Sequence, residues 1–388
     1  MTTLNARELG FDEARLARVG RAIEADIAAE RCDGAALVVA RGGRVALDLV
    51  HGFAERSTGR RLGRDAVFVT MSVGKQLSNA LVLALVERGA LRLHQPVAEV
   101  LPGFGALGKE RVTLFQLLTH TSGLTAAIPA VPPDVLMDVE KMSAWACRQA
   151  LESAPGERVN YSISVAHAVM AAICLRADGG GRSFARMLEE ELFRPLGMRD
   201  TSLGPRDDLL ARLCPVRARY KEPGMFVPEA LEGIGALVQI PGCEIPAGGF
   251  LSTANDLHRF AEMLRRGGEL DGARVLSPAT IEYCARNHTG LLPNQLWNYT
   301  TGMRGWDTFP AYLGIGFFVR GEKVVPGPFG ALNSPNTFGG FGAGSTAFWI
   351  DPARDLTFAF MSTGLMEDSY HVERLARLSD LVLAALVK

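Results

Sequence analysis

Ser72 and Lys75 in the run Met71-Ser72-Val73-Gly74-Lys75 are three residues apart. On a helix that spacing puts a hydroxyl and an amine on one face, about one turn apart. A serine hydroxyl is a weak nucleophile at neutral pH and needs a base beside it. At a helix N-terminus it is surrounded by free backbone N–H groups and the positive end of the dipole. A lysine buried in that first turn has its pKa pushed down, which makes Lys75 a base or proton relay for Ser72. A serine three before a lysine arises about once by chance in a chain of this length, and alone it reads as a helix cap with a solvated lysine. Here it follows the strand-like Val67-Phe68-Val69-Thr70 and opens an apolar helix, Leu77 to Val86, which sets the pair beside the core. A second cluster, Pro155-Gly156-Glu157-Arg158-Val159-Asn160-Tyr161-Ser162, is a turn followed by a phenol and a hydroxyl. It reads either as an ordinary capped loop or as a third partner in proton transfer.

The elements that must position these groups are legible around them. Residues 11–30 place Leu16, Val19, Ile23 and Ile27 at helical spacing. The runs 35–41 and 44–52, joined by Gly42-Gly43, predict a β-hairpin. A helix opened by Ser72 stops near Arg88-Gly89, where glycine is a natural terminator. The middle, residues 79–205, is mostly helical pattern broken by loops such as 129–134 and 177–182. Residues 346–350 and 356–362 then predict paired strands around Asp351-Pro352-Ala353-Arg354, and 370–387 a final amphipathic helix. The expected fold is therefore α+β, with one antiparallel sheet built from both chain ends and flanked by helices. Residues 1–78 and 206–388 form the sheet domain and 79–205 an inserted helical domain.

Composition narrows the function classes. The 41 basic and 42 acidic residues give a net charge of −1, which argues against a nucleic-acid partner and an acidic tail. No apolar run reaches the eighteen or so residues of a membrane span. The first thirty residues do not have the pattern of a secretory signal, so a cytoplasmic location is expected. The six cysteines form no CxxC pair and read as free thiols in a reducing compartment. The seven histidines form no HxxxH cluster, so no metal site and no cofactor are expected.

Taken with these motifs, the chain resembles the serine β-lactamases and penicillin-recognising hydrolases, in the class C-like branch that includes the family VIII carboxylesterases. The resemblance rests on SxxK at Ser72, Tyr161 about ninety residues on, and the Gly-rich Phe338-Gly339-Gly340-Phe341-Gly342-Ala343-Gly344. It rests also on Leu117-Leu118-Thr119-His120-Thr121-Ser122-Gly123-Leu124, on Phe193-Arg194-Pro195-Leu196-Gly197-Met198, and on residues 246–257 and 267–278. It runs from about residue 15 to residue 385. It implies a β-lactamase/transpeptidase-like fold, Ser72 as the acylated residue, Lys75 as its partner and Tyr161 as the group that takes the serine proton and returns it to the leaving group. A pair such as Lys75 and Tyr161 shares its proton, and cationic or hydrogen-bonding neighbours are expected to lower the phenol's pKa. The oxyanion of the tetrahedral intermediate needs two fixed donors. Ser72 N–H is one. The resemblance puts a KTG-like triplet on Gly340-Phe341-Gly342, which makes Ala343 N–H the second, while a frame two residues earlier is the alternative. His120 reads as part of a structural turn between helices.

Two departures bear on substrate. Gly340 stands where penicillin-recognising enzymes usually carry a lysine or histidine, and Ile163 stands where the Tyr-x-Asn motif has its amide. A site lacking both forfeits hydrogen bonds worth a few kcal/mol to a β-lactam or peptide. A small neutral ester needs neither. Trp297 and Trp306 belong to an aromatic stretch, residues 292–318, that could form an apolar wall for the substrate or fill the core. The expected activity is an intracellular serine esterase acting on a small-molecule ester through a Ser72 acyl-enzyme. An acyltransferase, a residual β-lactamase or D-amino-acid peptidase, and last a non-catalytic binding protein are the alternatives. The C-terminal helix serves either a homodimer or, more simply, packing on its own sheet.

Overall fold

The strands foreseen at the two chain ends meet in a single sheet. The structure, a computed structural model, describes residues 6–221 and 224–387. Strands β1 (Gly34–Arg41) and β2 (Arg44–Glu55) form the expected hairpin, turning on Gly42 and Gly43, both at positive φ. With β3 (Arg60–Arg61), β4 (Phe318–Val319), β5 (Phe338–Gly342), β6 (Thr346–Asp351) and β7 (Leu356–Thr363), they make a seven-stranded sheet in the order β3-β2-β1-β7-β6-β5-β4. Neighbouring strands are antiparallel throughout. The N-terminal and C-terminal segments are joined by β1 on β7, in register from Gly34 opposite Thr363 to Arg41 opposite Leu356.

Helices cover both faces, which is why the strands read as continuous apolar runs. Leu37, Val39, Trp349, Phe358 and Phe360 pack under α1 (Glu13–Ala28) and α5 (Asp368–Leu383). The alternate residues Ala36, Val38, Phe348, Ile350, Ala359 and Met361 face α2 (Gly74–Glu87), α3 (Val165–Ala177) and α4 (Ala254–Arg265). This is the period-2 division of a sheet buried on both sides. The Trp349 indole N–H donates to Ser379 Oγ at 3.0 Å, so the largest buried ring also has its polar atom paired.

Helices α2 and α3 lie at the centre, with unbroken buried stretches from Gly74 to Leu85 and from Val165 to Leu175. A helix apolar on every side is one that is buried on every side. One apolar core runs from these helices into the sheet, so the helical middle and the sheet share it. Ahead of α2, the short strand Phe68–Val69 pairs with Phe250–Ser252, which also pairs with Ser202–Leu203. That small sheet delivers the chain to Ser72. Among the described residues, no helix is long and apolar enough to cross a membrane.

Candidate active site

Ser72 sits in a tight turn, Met71–Val73, that runs straight into α2. Met71 takes a left-handed conformation, φ 49°, which is costly for a residue with a Cβ and is kept only where surroundings enforce it. They do so from three sides. Thr346 Oγ1 donates to Thr70 O at 2.7 Å. A Cβ on Gly248 would lie 2.9 Å from Met71 O, and one on Gly342 would lie 2.7 Å from Thr70 O. The glycines are therefore required so that loop and strand can press against the backbone beside the serine.

Lys75 is completely buried at the start of α2, and its Nζ donates to Ser72 Oγ and to Ala247 O, both at 3.1 Å. Burial lowers its pKa to about 7, so near neutral pH it is poised between amine and ammonium. The same Nζ lies 5.2 Å from the centroid of the Tyr161 ring. The predicted trio, about ninety residues apart in sequence, is thus brought together.

The phenol differs from expectation. Burial raises the Tyr161 pKa, and the Ser72 hydroxyl opposes this only in part. Neighbouring groups were expected to lower it, but a fully enclosed phenolate costs more than they return. Tyr161 therefore holds its proton at rest. Its buried hydroxyl makes no hydrogen bond of full geometry among the described residues, which leaves it available to a group arriving at Ser72.

His120 is the residue that sequence reading undervalued. It occupies the expected turn, at φ 54°. It also brackets Tyr161. Its carbonyl accepts from Asn160 N–H at 2.8 Å, its Nδ1 accepts from Ser162 N–H at 3.0 Å, and its ring stacks on the phenol at 4.2 Å. Burial, reinforced by the charge of Lys75, lowers its pKa to about 3. A neutral imidazole accepting at Nδ1 carries its proton on Nε2. His120 is therefore a positioning residue. Forty residues lie between it and Tyr161, and no local periodicity announces such a contact.

Two lobes meet at Ser72 and Ala343, which line both. One, about 530 Å³ including space open to solvent, is walled by Ile163 with Ile128, Leu136, Leu231, Ile234 and Ile245. The other, about 330 Å³, is walled by Tyr161, Trp297, Phe318, Phe341 and Asp368. Gly340 and Gly342 line neither, because they face inward: a Cβ on Gly340 would meet Gln76 Oε1 at 2.1 Å. Trp306 also lies outside both lobes, with its ring under the Arg304 guanidinium at 4.8 Å. Asp368, at the start of α5, was not singled out in the sequence, where it reads as an ordinary acid of a helix first turn.

The Beta-lactamase family model matches residues 19–382. The chain is 32% identical over 342 residues to "Penicillin-binding protein 4" of Amycolatopsis lactamdurans, covering 83% of this chain and 84% of that protein. It is 31% identical over 294 residues to "Esterase EstB" of Burkholderia gladioli, covering 68% and 74% respectively. A crystal structure of a penicillin-binding protein homologue from Caulobacter crescentus superimposes with a TM-score of 0.80 at 25% identity, covering 97% of this chain and 99% of that one. With the matched region spanning nearly every element described above, the chain belongs to the Beta-lactamase family and is a serine hydrolase.

Proposed function

We propose that this hydrolase cleaves carboxylic esters through an acyl group carried on Ser72. The observation that carries the reading is the Ser72–Lys75 contact at 3.1 Å, beside a phenol whose hydroxyl makes no hydrogen bond of full geometry among the described residues. The Ser72 proton passes to the Lys75 amine as Oγ bonds to the ester carbonyl carbon. The Ser72 and Ala343 N–H groups hold the resulting oxyanion, and Tyr161 delivers a proton to the departing alkoxide. The Lys75 ammonium then returns the proton it took from Ser72 to the phenolate. Water then attacks the acyl carbon and gives a proton to the Lys75 amine; the bond from that carbon to Ser72 Oγ breaks, Lys75 returns the proton to Oγ, and the acid leaves.

The site's charge favours an ester over a β-lactam or a peptide with a free C-terminus, both of which present a carboxylate. Among the described residues lining the two lobes, Lys75 is the single basic side chain, and it is engaged with Ser72. The single acidic side chain is Asp368, which repels an anion once it is ionised. Ile163 supplies apolar contact where an amide would bind an acylamino group.

The test is hydrolysis of a short-chain chromogenic ester by the parent and by Ser72→Ala, with nitrocefin in parallel. The parent is expected to turn over the ester far faster than nitrocefin, and Ser72→Ala is expected to lose about 10⁴-fold or more. Equal ester rates in parent and variant would refute the assignment. Added alcohol acceptors, with product analysis, distinguish hydrolysis from acyl transfer.

A further inference from the structure

We propose that Asp368 and the rings of Trp297, Phe318 and Phe341 form a cation subsite for the alcohol half of the ester. The inference rests on the esterase reading and names its substrate class: an apolar acyl group joined to an amino alcohol. Lobe identity assigns the two halves. Tyr161, which protonates the leaving group, lines the aromatic lobe. Lys75 and the aliphatic wall line the other, which therefore takes the acyl chain.

Asp368 is nearly inaccessible, yet it lines the same lobe as Ser72 and Tyr161. Among the described residues its Oδ2 has no hydrogen-bond partner and it is in no ion pair. The charged residues nearest to Asp368 in α5 and at Arg304 make contacts of their own. Glu367 accepts from Ser369 N–H at 2.9 Å. Arg304 pairs with Glu373 and donates to Ser369 Oγ at 2.8 Å. Arg374 donates to Gly344 O at 3.2 Å and contacts the His371 ring nitrogen at 2.8 Å. A buried carboxyl with one oxygen left unpaired is costly and calls for a reason. The Trp297 and Phe341 ring centroids are 6.2 Å apart and those of Phe318 and Phe341 4.9 Å apart. Aromatic faces beside one carboxylate suit an alkylammonium, which the rings attract by their quadrupoles and the acid by its charge. Burial and Glu367 raise the acid's pKa to about 7, while the backbone N–H of Gly344 opposes this, so an arriving cation meets a group ready to ionise.

The test compares butyrylcholine with its uncharged isostere 3,3-dimethylbutyl butyrate, in the parent and in Asp368→Asn. The parent is expected to favour the cationic ester in kcat/KM by about tenfold or more, and Asp368→Asn to bring the ratio near unity. Choline binding by calorimetry provides a readout independent of turnover, and is expected to weaken in the variant by a similar factor. If Asp368→Asn does not fold, Trp297→Leu is expected to narrow the same ratio. Turnover of both esters by the parent without preference would overturn the subsite and leave the esterase reading standing. Choline binding without hydrolysis of either ester would sustain the subsite and overturn the esterase reading. Absence of choline binding by the parent would overturn the subsite outright.

Discussion

Lys75 and His120 lie against the same phenol, and burial has depressed the basicity of both. The amine falls to about 7 and keeps a contact with Ser72, whereas the imidazole falls to about 3 and spends its Nδ1 on the Ser162 N–H. Each segment contains a left-handed residue, Met71 in one and His120 itself in the other. The turn at 71–75 holds a group that can change protonation near neutral pH. The turn at 119–123 holds one that stays neutral and keeps the phenol in place. Depth of burial is similar, so on the proposed mechanism what makes Lys75 the base and His120 a support is how far the pKa falls and whether the Ser72 hydroxyl is within reach.

Truncating both residues gives the largest contrast. Lys75→Ala is expected to reduce kcat about 10³–10⁴-fold, since general-base assistance is lost and Ser72 keeps its proton. His120→Ala is expected to cost about tenfold in kcat with little change in KM, because it loosens Tyr161 without removing any group that touches substrate. Steady-state kinetics with a neutral ester separate the two. If His120→Ala proved as damaging as Lys75→Ala while remaining folded, the distinction between working and positioning base would break.

Much of this arrangement is legible in the sequence. The Gly42-Gly43 hairpin, the strands around Asp351 and the serine–lysine turn follow from local patterns: periodicity, turn glycines and a one-turn spacing. What was hidden depends on contacts distant in sequence. The stack of His120 on Tyr161 requires the turn after residue 118 to meet the loop before α3. Gly340 looked like a lost substrate contact, but its reason is the Gln76 side chain packed against it. Trp306 was grouped with Trp297 by composition alone, and tertiary structure sends the two rings to different places. Asp368 was indistinguishable from a helix-start acid, because only the fold brings the start of α5 to the edge of the cleft.

A pH profile sharpens the same comparison. A lysine whose pKa is lowered is neutral above that value and protonated below it. Thus kcat/KM for a neutral ester is expected to be level above about pH 7 and to fall roughly tenfold per unit below it, as Lys75 loses the capacity to accept a proton. A neutral ester leaves the charge of Asp368 out of the binding term. A profile level down to pH 5 would contradict Lys75 as the base.

A smaller effect concerns stability. The Asp368 carboxyl has a folded pKa raised from 3.8 to about 7, so it binds a proton more tightly folded than unfolded. Its stabilisation is complete below the unfolded pKa and is lost as pH rises through about 7. Asp368→Asn is therefore expected to raise the melting temperature by a few degrees relative to the parent at pH 8, and to do so much less at pH 4. An unchanged difference between the two pH values would mean that the acid is not strained in the folded protein.

The most direct test of the central claim is intact-mass spectrometry of enzyme quenched during turnover of a slowly deacylating ester. The account predicts a mass increase of one acyl group, located by peptide mapping on Ser72 and absent from Ser72→Ala. Ester turnover with the acyl group on another residue, or an undiminished adduct in Ser72→Ala, would contradict it.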